Sequence, residues 1–207
     1  MRAEDQTEVV YVVDDDPSAR ESLCWLLGTE GIASQAFASA QAFLDYWSSD
    51  CSGCIMVDIR MPGKTGLQLQ NELNARHNLM PVIVLTGHAD VPVAIRAMKQ
   101  GAYDFLEKPY ADEELLSCVK TALELGREIS DAESEKTRVA SALENLTERE
   151  REVMCLVVEG NTNKVVAAQL GISEKTVEIH RSRVMEKTAA RSLSELVRIC
   201  LILKDKI

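Results

Sequence analysis

No stretch of the 207-residue chain approaches the roughly 20 consecutive apolar residues that a bilayer-spanning helix requires, so no membrane partner is expected. The opening MRAEDQTE is charged and polar and lacks the apolar core of a secretory signal, which leads to the expectation of a cytoplasmic protein. Six cysteines, at positions 24, 51, 54, 118, 155 and 200, follow no framework spacing. In a reducing compartment they are expected to be small buried apolar residues rather than disulfide partners. Cys51 and Cys54 have the spacing of a redox or zinc pair, yet no second ligand pair accompanies them. His77, His88 and His180 lie far apart in sequence, which argues against a histidine metal cluster. Repeats and low-complexity tracts are absent as well.

What is present is enough chain and enough apolar content, 46%, for two small domains with real cores. The net charge of -10 is unevenly spread. Residues 1–125 carry 9 Lys and Arg against 19 Asp and Glu, residues 126–143 carry 3 against 4, and residues 144–207 carry 11 against 10. The acidity belongs to the first half, and cations group between Lys175 and Arg191, so a polyanion would meet the C-terminal part.

In the first 125 residues, VVYVV, CIMVDI, PVIVLT and YDFLE are β-branched or aromatic-rich runs bounded by Asp, Gly or Pro, and GIASQAF is a weaker fifth. Amphipathic helical patterns separate them. Regular βα alternation predicts an α/β domain, a doubly wound five-stranded parallel sheet of flavodoxin-like type with helices on both faces. The segment after Ala111 has no proline and reads as a final helix running into a helical linker. A capping box, Thr147 with Glu150, opens an all-α region of four helices near 148–158, 163–169, 174–187 and 193–203.

Sites in doubly wound sheets form at the carboxyl ends of the strands. Asp14 and Asp15 follow the first strand, Asp58 ends the third, Thr86 the fourth and Lys108 the fifth. Two carboxylates at 4 Å repel by about 4 kcal/mol at an effective dielectric of 20, so such a cluster demands a counter-charge. Mg²⁺ (or Mn²⁺) suits it, being a hard cation that takes oxygen ligands and keeps waters and a phosphate oxygen. A carboxylate beside such a metal, a lysine and a hydroxyl fits phosphoryl transfer to Asp58, with Thr86 and Lys108 stabilising the transferred group. Singly, each residue has a plain structural reading as a helix cap, a turn or a solvated charge. Asp16 is expected to cap the helix that starts near Pro17. Jointly, the matched strand ends favour a site.

In the C-terminal region, GNTNKVVAAQLGISEKTVEIHRSRVMEK reads as helix, turn and helix. A helical wheel over residues 174–187 sets Val177, Val184 and Met185 on one side and Lys175, Ile179, Ser182 and Glu186 opposite. An outward apolar Ile179 suits contact with a thymine methyl, and Lys175, Arg181 and Arg183, with Lys164 and Arg191 nearby, suit phosphates. Taken bare, such a pattern also arises by accident in helical bundles.

The strings VVDDD, DIRMPGKTGLQL, LTGHAD and AMKQGAYDFLEKP resemble the receiver domain of bacterial two-component response regulators. LTEREREVMCLVVEG through SLSELVR resembles the LuxR-type helix-turn-helix domain, and the combination is similar to FixJ-type regulators. The resemblance implies a receiver at 8–125, a helical linker at 126–143 and a four-helix LuxR-type DNA-binding domain at 144–207. It implies Asp58 as phosphoacceptor, a metal site from Asp14, Asp15, Asp58 and the backbone carbonyl of Arg60, and switch residues Thr86 and Phe105, with phenylalanine where many members carry tyrosine. DNA contacts are implied at Asn163, Lys164, Lys175, Thr176, Ile179, Arg181, Ser182, Arg183 and Arg191; Glu178 departs from the lysine found there in many members. Implied partners are a sensor histidine kinase, double-stranded promoter DNA, RNA polymerase, and a second copy of the chain upon phosphorylation or DNA binding. The output is transcription control rather than enzymatic turnover. A Mg²⁺-dependent phosphohydrolase with Asp58 as nucleophile is the alternative, disfavoured because Arg60 stands where the common haloacid-dehalogenase pattern has a second aspartate.

Overall fold

A computed structural model describes residues 8–87 and 91–204; His88 lies outside them. The strands are β1 (Val9–Val13), β2 (Ser34–Phe37), β3 (Gly53–Asp58), β4 (Val82–Gly87) and β5 (Asp104–Lys108). All pair in parallel, in the order β2-β1-β3-β4-β5. The expected five-stranded α/β sheet is present, and the weak fifth candidate, GIASQAF, contributes its last four residues as an edge strand.

Alternation along the strands builds two apolar layers. Tyr11, Val13, Ile55, Val57, Val82 and Val84 face one way, into a core with Phe43 of α2 (Ala40–Tyr46), Leu69 and Leu73 of α3 (Gly66–Ala75) and Ala97 of α4 (Val91–Lys99). Val10, Val12, Cys54, Met56, Ile83 and Leu85 face the other way, against Leu23 and Leu27 of α1 (Pro17–Thr29) and Leu115, Val119 and Ala122 of α5 (Asp112–Glu144). A central strand covered on both faces must be apolar at every position, which is why these strands read as continuous hydrophobic runs. Cys54 is fully buried in β3, where desolvation pushes its thiol up to about 12. That environment fits an inert core residue.

Local signals set where the helices begin. Asp16 caps α1 by accepting from the Ser18 backbone N–H at 2.9 Å, with Pro17 at the first helical position. Thr65 and Gln68 form a capping box on α3.

The chain divides into two compact units, the first ending at Asp131 and the second starting at Ala132. This division falls inside the segment expected as a linker, within the 33-residue helix α5, which has no proline to break it. Val139 and Leu143, near the end of α5, join the core of the second unit. That unit adds α6 (Glu148–Val158), α7 (Asn163–Leu170), α8 (Glu174–Lys187) and α9 (Leu193–Lys204). The α7–α8 turn needs Gly171, whose φ of 67° is left-handed. No described helix is long and apolar enough to cross a membrane.

One buried charge ties the second unit together. Glu150, only 2% exposed, completes a capping box with Thr147 and accepts from Lys187 Nζ at 2.7 Å. The Lys187 hydrogen bond, followed by those from Thr147, outweighs desolvation and holds the Glu150 carboxyl down at about 2, against 4.5 ordinarily. Since the folded state has the lower pKa, the pair stabilises fully above about pH 4.5 and its contribution is lost as pH falls towards 2. Lys187→Met is expected to lower the stability of this unit by about 2 kcal/mol at pH 7 by stranding a buried carboxylate. In chemical denaturation, the deficit relative to wild type should shrink as pH drops below 4.5.

Candidate functional site

The parallel sheet brings the carboxyl ends of β1, β3 and β5 to one edge, and one lysine joins them. Lys108 Nζ donates to Asp58 Oδ1 at 2.6 Å and to Asp14 Oδ2 at 2.9 Å. Asp14 is 2% exposed and Asp58 is mostly buried, so neither can be left beside the other without a cation. Burial alone would pull the Lys108 ammonium down, but hydrogen bonds and charges from Asp58 and Asp14 outweigh it and leave its pKa above the ordinary lysine value. Lys108 supplies counter-charge to this pair from within the chain.

Backbone groups fix the same carboxylates. The Arg60 N–H donates to Asp58 Oδ2 at 2.6 Å, and the Asp16 N–H donates to Asp14 Oδ1 at 2.9 Å. Helix α3 starts directly against this loop: a Cβ at Gly66 would lie 2.4 Å from the Asp58 carbonyl oxygen, so only glycine allows the approach. Two supports escaped the sequence reading. One is Gly66; the other is Arg20, whose Nη1 donates to the Asp14 carbonyl oxygen at 2.6 Å. Arg20 stands four residues after the capping Asp16, on the helix face that looks back along the loop, and that spacing was the available signal.

The remaining pocket residues are placed differently. Asp15 is exposed, in the bend that follows β1. Thr86 is buried at the end of β4, and its hydroxyl donates to the Gly87 carbonyl at 3.3 Å. Phe105 lies outward on β5, 38% exposed. Among the described residues no three acidic, histidine or cysteine side chains gather as a metal site. Asp14 and Asp58 still fit Mg²⁺ chemically: all the donors on offer are oxygens, and this ion is commonly held by one or two carboxylates, with water and phosphate completing its shell. Cys51 and Cys54 form no part of a metal cluster among the described residues.

In the second unit, α8 is held by Ser173, which accepts from the Thr176 N–H, and by buried Val177 and Val184. Ile179 is 47% exposed, and Lys175, Ser182 and Arg183 share its exposure; Lys164 on α7 and Arg191 before α9 are exposed too. This places a band of cations around an apolar residue. Three further residues expected at the DNA are less exposed. Thr176 is half-buried, with its hydroxyl 2.8 Å from that of Ser173. Arg181 and Asn163 are both half-buried and hydrogen-bond each other at 2.6 Å. Grouping Arg181 with the outward cations overlooked its angle, which at 100° per residue lies between Val177 and Met185 on the apolar side of α8.

Known proteins match both units. The response regulator receiver domain matches residues 10–120, and the bacterial regulatory proteins of the luxR family match residues 144–200. The transcriptional regulatory protein FixJ of Azorhizobium caulinodans is 48% identical over 193 residues, covering 93% of this chain and 92% of its own. TdiR, a transcriptional regulatory protein of Thauera aromatica, is 42% identical over 192 residues, covering 93% of this chain and 85% of its own. The solved structure of the response regulator StyR superposes with a TM-score of 0.88 at 38% identity, covering 94% of this chain and 98% of its own. Full-length FixJ from B. japonicum gives 0.57 at 40% identity, covering 94% and 96%.

Removing the ammonium should expose the cost of its absence. Lys108→Met is expected to lower the stability of the first unit by about 2 kcal/mol in metal-free buffer, and Asp14→Asn in the same chain should recover most of that loss. Urea denaturation of the three variants measures both effects.

Proposed function

Because this chain belongs to the FixJ-type response regulators, pairing a receiver domain with a LuxR-type DNA-binding domain, we propose that Asp58 is the residue through which its phosphorylation controls transcription. That it is a phosphorylation-controlled transcription regulator follows from the family, as does a sensor kinase as its partner. The single observation supporting the assignment to Asp58 is the Lys108 ammonium bridging Asp14 and Asp58 at the ends of three strands.

An Asp58 oxygen attacks the phosphorus of the donor, the bond to the donor's leaving atom breaks, and an aspartyl phosphate results. Arg60 N–H holds Oδ2 and thereby orients the carboxylate. Lys108, already within reach of Oδ1, pairs with the arriving phosphoryl oxygens. Mg²⁺ bound by Asp14, Asp15, Asp58 and the Arg60 carbonyl would offset the negative charge of the transferring group. The Thr86 hydroxyl, released from the Gly87 carbonyl, would hydrogen-bond the new phosphoryl group. Phe105 would then turn inward from its exposed position, changing the surface offered to a second copy of the chain.

In the DNA-binding domain, Ile179 and Ser182 face the bases, and Lys164, Lys175, Arg183 and Arg191 meet phosphates, with Thr176 and Asn163 at the margins. Two copies on half-sites a helical turn apart raise affinity and specificity, and promoter-bound dimers in the cytoplasm meet RNA polymerase.

Incubation with radiolabelled acetyl phosphate and Mg²⁺ tests the assignment. The wild-type chain should take up a hydroxylamine-labile label and Asp58→Asn should take up none. Equal labelling of the two would place the acceptor elsewhere.

A further inference from the structure

The Arg181–Asn163 hydrogen bond joins the middle of α8 to the first residue of α7, the two helices of the helix-turn-helix. Both side chains are half-buried, whereas Lys164, Ile179, Ser182 and Arg183 around them are exposed. The stem of Arg181 lines a small apolar cavity with Val153, Met154, Val184, Met185 and Leu196, contributed by α6, α8 and α9. A side chain whose carbons follow apolar surface, and whose head is held by a fixed acceptor, has little freedom to reach a phosphate. Contacts that release counterions need a cation available at the surface.

The start of α7 also needs a tether. Its N-cap residue, Thr162, makes no side-chain hydrogen bond to the first turn, unlike the capping residues of α1, α3, α6 and α8. A guanidinium beside a helix N-terminus is disfavoured by the helix dipole, so its placement there is accounted for by the hydrogen bond and the buried stem rather than by charge.

The geometry points to Arg181 as a positioning residue: acting through Asn163, it fixes α7 against α8, and with it the spacing between Lys164 and the base-reading Ile179 and Ser182, without itself touching DNA. This rests on the reading of the second unit as the DNA-binding domain. It separates Arg181 from the cations around it, with which the sequence had grouped it.

The test uses the full chain and two duplexes, one selected from a random pool by the wild-type protein and one unrelated. Arg181→Met keeps most of the stem and removes the hydrogen bond. It should weaken binding to the selected duplex about tenfold, leave the unrelated duplex bound as before and keep the slope of log affinity against log salt. Asn163→Ala should give the same loss, the double variant no further loss, and Arg181→Lys, which retains a donor, partial rescue. A slope shallower by about one, with both duplexes weakened alike and additively with Asn163→Ala, would make Arg181 a phosphate contact and overturn the proposal. A lower melting temperature with the ratio between the duplexes kept would make Arg181 a scaffold residue only and would also overturn it. Failure of the wild-type chain to select any duplex would overturn the DNA-binding reading and this inference with it.

Discussion

A single ammonium group holds together the acidic pair at the carboxyl end of the sheet. Asp14 and Asp58 come from β1 and β3, which are neighbours in the sheet, while Lys108 comes from β5 and reaches back past the end of β4. Carboxylates at such close quarters repel by several kcal/mol, and only a cation shared between them makes their burial tolerable. The sheet order, the cap at Asp16, the Arg20 contact and the glycine at the start of α3 all serve to deliver these three side chains to one point. In the proposed reaction a phosphoryl group arriving at Asp58 would meet a lysine already in place, which would then divide its hydrogen bonds between old and new partners.

The second unit solves a parallel problem with the same device. Glu150 is a buried carboxylate that both caps α6 and receives Lys187 from the end of α8, and Arg181 in turn reaches the start of α7. Three helices are thus locked by two cations that leave the exposed face to Ile179, Ser182 and the free-standing lysines and arginines. The excess of acid lies in the first 125 residues, and the C-terminal domain, with 11 Lys and Arg against 10 Asp and Glu, is nearly neutral, so a polyanion meets less repulsion there.

Much of this was legible in the residues. Apolar runs ending in Asp, Thr and Lys declared both the parallel sheet and the edge at which chemistry gathers, and Asp16, Thr147 and Ser173 announced their helices through capping chemistry. What escaped was direction. Asp14 and Asp15 look equivalent in sequence, yet one is buried at the pocket and the other is exposed. Thr86 ends its strand as expected, but its hydroxyl is spent on the neighbouring carbonyl. Arg181 was grouped with the outward cations by its charge, although at 100° per residue it falls between Val177 and Met185 on the apolar side, and the wheel cannot show that Asn163 of α7 receives it. Local pattern gives the angle of a side chain, and only packing decides what it meets.

The central claim is that Lys108 is the counter-charge of the acidic pair, and it is tested most directly by titrating Mg²⁺ into the unphosphorylated chain in a calorimeter, with Lys108→Met beside the wild type. Loss of a cation that shares Asp14 and Asp58 should tighten Mg²⁺ binding, because the arriving metal no longer competes with an ammonium group for those carboxylates. Unchanged or weaker Mg²⁺ binding in Lys108→Met would contradict the account.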